Sequence, residues 1–115
     1  MKPTLHRSEY FNRDFELQYC YYLDRAGKEI AEQFLEAVLT TLRLLVGQPE
    51  AGPRRTFRHP ALRDMRSFRA TRPFQAHMIF YRYTGAELFA ERLMHGARDL
   101  PRRLREPPGS EAPLM

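Results

Sequence analysis

Residues 74–99 constrain the fold more tightly than any other stretch of this chain. Residues 77–83, HMIFYRY, are rich in the aromatic and β-branched side chains that suit a pleated, half-buried surface. Thr84-Gly85-Ala86 supplies a turn, with Gly85 free to take positive φ. Residues 87–95 then alternate, with Phe89, Glu91, Leu93 and His95 on one face and Leu88, Ala90, Arg92 and Met94 on the other. A β-hairpin is therefore expected here, closed by the exit His95-Gly96-Ala97-Arg98-Asp99. An isolated hairpin is marginal in water, so the rest of the chain has to cover it.

The cover is legible upstream. Residues 2–7 are short and β-compatible, with Pro3 tolerable only near the start of an edge strand. Ser8 offers a helix N-cap, and Phe11, Phe15, Tyr19 and Tyr22 follow at spacings of four, four and three. Tyr10, Leu17 and Tyr21 widen this stripe, so the first helix is expected to pack on two sides. Gly27 breaks the chain, and a second helix is expected over 28–46, with Ile30, Phe34, Val38, Leu42 and Leu45 as its buried stripe. Gly47-Gln48-Pro49 ends it.

Residues 50–60 read as a loop carrying Arg54, Arg55 and Arg58. Residues 62–70 read as a strand with Arg63, Met65 and Arg69 on one face and Leu62, Arg66 and Phe68 on the other. The expected order is β-α-α-β-β-β, an α+β domain over residues 1–105 with an αα-hairpin packed on a mostly antiparallel sheet. Residues 101–105 suit one short basic turn, and the proline-rich residues 106–115 suit a disordered tail.

Composition excludes several classes. No apolar run approaches the length that spans a bilayer, and the first residues lack the pattern of a secretory signal, so a cytoplasmic protein is expected. The one cysteine, Cys20, excludes an internal disulfide framework. His6, His59, His77 and His95 are scattered, without partners at zinc-ligand spacing, so neither a metal nor another cofactor is expected. Phosphate-binding glycine loops, Ser/His/Asp sets and paired carboxylates on one face are absent.

Charge is divided unevenly. Residues 1–50 carry six Lys/Arg and eight Asp/Glu, whereas residues 51–115 carry thirteen and six. Nearly all the positive charge is arginine, whose planar fork favours carboxylate and phosphate. A basic surface for an acidic protein or a nucleic acid is one expectation, and a merely solvated face is the other.

Taken together, Pro49 with Gly52, Leu62 and Arg66, Ile79-Phe80-Tyr81-Arg82, and Leu93-Met94-His95-Gly96-Ala97-Arg98-Asp99-Leu100 resemble the RelE/ParE superfamily of toxins from bacterial type II toxin–antitoxin pairs. Arg92 leads an Arg-x-x-His-Gly-x-Arg-Asp run similar to that of the ParE branch, and the likeness covers roughly residues 2–104. The resemblance implies a growth-inhibiting toxin neutralised by a cognate antitoxin. ParE-like members bind DNA gyrase and trap its cleaved-DNA complex, without catalysis of their own. RelE-like members cleave messenger RNA on the ribosome.

The residues favour the first mechanism. Of the RelE-type groups, Arg98 matches a sheet arginine, but a second arginine position holds Met78, the tail tyrosine position falls near Leu104, and no Tyr follows Tyr83. Arg66, Arg82, Arg92, Arg98, Arg54 and Arg55 are then the candidate contacts to target or antitoxin. If the chain were instead a metal-independent endoribonuclease, His95, Arg98 and Arg58 would carry the chemistry, His95 as general acid or base. Otherwise His95 shapes the exit loop, and Asp99 forms a local ion pair with Arg98. A non-toxic binding module of the same fold is the third expectation.

Overall fold

The computed structural model describes residues 2–96 and 98–109. The order is β1 (Thr4–Arg7), α1 (Glu9–Arg25), α2 (Lys28–Gly47), a single 3-10 turn (Pro60–Leu62), β2 (Arg66–Arg69), β3 (His77–Tyr83), β4 (Glu87–His95) and α3 (Leu100–Arg103). The sheet runs β1-β4-β3-β2, with β1 parallel to β4 and the other pairs antiparallel. The expected α+β order is met, and α3 is added to it. The expected tail divides in two: residues 106–109 are described, and residues 110–115 lie outside the described residues.

Helix α1 starts where expected: Ser8 Oγ accepts from the Phe11 N–H and donates to the Glu91 carbonyl of β4. β1 ends opposite Ala90, so the first turns of α1 continue along the β4 edge that β1 leaves open. Phe11 is buried, and Phe15 and Tyr22 pack against Phe34 of α2. The second side expected for α1 is packed only in part, since Tyr10, Leu17 and Tyr21 are 41–45% exposed. They lie on the stripe away from α2, where Tyr10 stands under the Arg92 guanidinium at 5.3 Å and Gly109 comes close to Leu17, so contact there is partial. In α2 the predicted stripe holds, with Phe34, Val38, Leu42 and Leu45 buried and Ile30 partly so.

The sheet is covered on both faces. The hairpin of α1 and α2 packs on Ile79, Tyr81, Leu88, Ala90 and Leu93. The opposite face carries a second apolar layer of Leu62, Met65, Met78, Phe80 and Met94, closed by Leu100 and Leu104. A β-bulge joins the two layers: Phe80 pairs with Arg92 and Tyr81 with Ala90, so Glu91 has no partner on β3. The alternation read from the sequence therefore reverses at Glu91. Arg92 and Met94 lie on the face opposite Leu88 and Ala90.

Residues 62–70 are not one strand. His59 caps the turn begun by Pro60, Asp64 adopts a left-handed conformation, and Leu62 folds under with Met65 instead of sharing a face with Phe68. The loop before it is stitched down by Tyr81, whose hydroxyl donates to the Pro49 carbonyl and accepts from the Gly52 N–H at 2.8 and 2.9 Å. Only glycine fits at 52, because a Cβ there would lie 2.6 Å from both the Tyr81 hydroxyl and the Ser67 carbonyl. Removing the hydroxyl in Tyr81→Phe leaves the buried Gly52 N–H and the partly buried Pro49 carbonyl unpaired. The expected loss is about 1–3 kcal/mol, read from the urea midpoint; an unchanged midpoint would show that the stitch contributes nothing.

Candidate functional site

The arginines expected as contacts separate into those that build the fold and those that face solvent. Arg92 is a builder and is 5% exposed. Its Nε and Nη2 donate to the two carboxylate oxygens of Asp14 at 2.7 and 3.0 Å. Its Nη1 donates to the carbonyls of Arg103, Leu104 and Glu106 at 3.1, 3.1 and 2.6 Å. Asp14 also accepts from the Leu93 N–H at 3.0 Å, in the place a neighbouring strand would otherwise fill. The sequence expectation of Arg92 as a surface contact is thus corrected. The bulge at Glu91 turns it towards α1 and the C-terminal segment.

Arg82 and Arg66 are similarly engaged. Arg82 pairs with Glu91 and donates to the carbonyls of Arg63 and Ala61, holding the 3-10 turn against the sheet. Arg66 donates to the carbonyls of Gly52 and Glu50. Arg55 is half-buried, its guanidinium over Phe57 and Phe80 and bonded to Ser67 Oγ. Each of these side chains crosses between elements, which strand periodicity does not reveal.

Arg54, Arg58, Arg63, Arg69 and Arg98 are exposed. Arg54 and Arg69 lie at one border of the sheet, and Arg58 and Arg63 lie on the loop that folds from that border over the second apolar layer. β2 is the outer strand at that border, and the loop before it runs alongside through an Arg54–Arg66 bridge, with Arg55 N–H donating to the Met65 carbonyl and Ser67 N–H to the Pro53 carbonyl. Arg98 is separate, on the exit from β4. Arg103 ties that exit by donating to the carbonyls of His95 and Arg98 at 2.8 and 2.9 Å. Asp99 takes a left-handed conformation and pairs with Arg102 at 3.5 Å, so its ion pair is not with Arg98. Ala97, part of the same motif, lies outside the described residues.

The histidines form a group that the sequence pattern does not reveal. The bulge shifts the hairpin register by one residue, so His77 faces His95 instead of Met94. Their ring centroids are 4.7 Å apart, with His95 exposed and His77 only 1% exposed. His77 Nε2 shares a hydrogen bond of 2.8 Å with the Tyr22 hydroxyl, and Phe34 and Phe74 close around the ring. Burial, with a smaller contribution from His95, lowers the His77 pKa to about 4. Burial, and secondarily Tyr21, raises that of Tyr22. At neutral pH Tyr22 and His77 make an uncharged structural contact between α1 and the sheet, and His95 is the solvent-facing histidine beside it.

Met78 and Leu104, which the resemblance sets at or near two RelE-type reactive positions, are both 6% exposed within the second apolar layer. Among the described residues no group of three or more His, Cys, Asp or Glu could hold a metal ion, and no helix is long and apolar enough to cross a membrane.

The sequence profile of the ParE toxin of type II toxin–antitoxin systems (parDE) matches residues 5–100. The chain belongs to the ParE toxin family. The structure is also similar to a solved chain of the chromosomal ParDE toxin–antitoxin system from P. aeruginosa, with a TM-score of 0.67 and 18% identity. That likeness covers 84% of this chain and 98% of the other, and at this identity it establishes the shared fold. A comparison with curated protein sequences gives no match. The match ends at Leu100, the first residue of α3, so the rest of that helix and the carbonyls of Arg103, Leu104 and Glu106 that Arg92 holds fall beyond it.

Proposed function

We propose that this ParE-family toxin arrests growth in the bacterial cytoplasm by binding DNA gyrase and stabilising its cleaved-DNA complex, and that a cognate antitoxin neutralises it. The observation that carries the reading is the burial of Met78 and Leu104 in an apolar layer. Ribonuclease chemistry needs groups that activate the 2′-hydroxyl, stabilise the phosphorane and protonate the leaving oxygen. Two of those positions here hold side chains that do none of this. The exposed Tyr10, Leu17 and Tyr21 on α1 support a protein partner such as the antitoxin, because aromatic and apolar anchors dominate protein interfaces.

Purified toxin is expected to inhibit supercoiling by gyrase and to accumulate cleaved DNA in proportion to its concentration. Intact supercoiling at toxin in large excess would remove the reading. Exposed His95 beside buried His77 favours one alternative, a metal-independent endoribonuclease using His95, Arg98 and Arg58. In translating extracts, new messenger ends that disappear with His95→Ala would put that alternative in its place.

A further inference from the structure

We infer that the border of the sheet formed by β2 and the loop beside it is a binding surface for the phosphate backbone of duplex DNA, with Arg54, Arg58, Arg63 and Arg69 as its contacts. The inference rests on the gyrase reading in one respect, that the target complex contains DNA for this border to meet.

Residues 54–72 carry seven arginines, and Asp64 is the only carboxylate between residues 51 and 86. Asp64 lies 3.8 Å from Arg54, and both side chains are 69% exposed, which leaves that pair weak and open to exchange. No carboxylate pairs with Arg58, Arg63 or Arg69 among the described residues; Arg69 donates one N–H to the Gln75 carbonyl. The fold's own demand for arginine is met by Arg55, Arg66, Arg82 and Arg92. Of the seven, Arg55 and Arg66 are so used and Arg72 lies beyond β2, which leaves Arg54, Arg58, Arg63 and Arg69 as exposed multidentate donors on β2 and the loop before it. Arginine so exposed fits phosphate oxygens, each engaged through two N–H groups.

The alternative occupant of a basic surface is an acidic protein, and the distribution of apolar surface argues against it. Among the described residues the exposed large hydrophobics, Tyr10, Leu17, Tyr21, Leu23 and Leu44, all lie on α1 and α2. Phe57 and Phe68, the aromatics of the border, are partly buried against the two cores. A protein interface needs a desolvated aromatic or apolar centre. A phosphate backbone needs cations in register and no such centre. The border has the second character and the helical hairpin the first.

The test measures fluorescence anisotropy of a short labelled duplex of arbitrary sequence with purified toxin alone. Each phosphate contact contributes about 0.9 to the slope of log affinity against log salt, so four contacts weaken binding roughly a hundredfold between about 50 and 200 mM salt. The double variant Arg58→Glu/Arg63→Glu is expected to weaken duplex binding by at least about tenfold and to flatten the slope. Arg54→Gln/Arg69→Gln shifts both in the same direction through an independent pair. Arg13→Glu/Arg25→Glu on α1 leaves both unchanged.

Binding that is insensitive to salt, or that survives both border variants, overturns the inference. A parallel arm measures binding to DNA-free gyrase. If the border variants lose that binding while duplex binding stays intact, the border is a protein surface and the inference fails. If unmodified toxin binds duplex but not gyrase, the gyrase reading fails and the phosphate site stands.

Discussion

Arg92→Ala is expected to lower unfolding stability by about 3–5 kcal/mol, and Asp14→Ala by a similar amount. Arg92 is buried and makes five hydrogen bonds, two to Asp14 and three to the carbonyls of Arg103, Leu104 and Glu106. Removing either ion leaves the other uncompensated in a low-dielectric site, and the Leu93 N–H loses its acceptor when Asp14 goes. Replacing both together, as Arg92→Met with Asp14→Leu, recovers much of the loss, because the desolvation cost of two charges is removed along with their attraction. Urea midpoints of the three variants decide the matter. A loss below about 1 kcal/mol in both single variants would show that the pair behaves like a surface ion pair, whose usual contribution is of that size.

Acidification is expected to destabilise the toxin through His77. Its folded pKa of about 4 lies below the ordinary 6.5, so the unfolded chain binds the extra proton between those values. The contribution of neutral His77 is therefore complete above pH 6.5, falls progressively as pH drops towards 4, and levels off below that. A displacement of this size corresponds to about 3 kcal/mol. His95, with its ring centroid 4.7 Å away, is the smaller cause of that lowering, after burial. Urea midpoints measured from pH 7 to 4 should show the decline. His77→Phe keeps the ring volume beside Phe34 and Phe74 and should flatten the profile over that window. A profile equally steep in the variant would place the acid sensitivity elsewhere.

The elements that periodicity governs are legible in the sequence. The stripe of Phe34, Val38, Leu42 and Leu45 fixes α2, and the aromatic run 77–83 and the run 87–95 match β3 and β4 as found. The ParE resemblance, carried by the exit after β4, agrees with the family match. What is not legible depends on one residue. Nothing in the local sequence marks Glu91 as a bulge. It reverses the facing of Arg92, brings His95 opposite His77, and gives the second apolar layer Met94. Asp14 reads as one more solvated acid on a helix, because its partner is 78 residues away. The second layer escapes sequence reading for a different reason. Its members Leu62, Met65, Leu100 and Leu104 come from loops and a four-residue helix, too short to show a period.

β1 pairs with β4, Thr4 opposite Glu87, although α1, α2, β2 and β3 all lie between them in the chain. The first strand made by the ribosome has its sheet partner among the last, and the N-cap of α1 and Asp14 also wait for β4. Closing so long a loop before any contact rewards it is slow. A nascent chain therefore carries β1 unpaired until α1, α2, β2, β3 and β4 have all been made. For a member of the ParE toxin family, this interval is a period in which the polypeptide exists and the folded toxin does not.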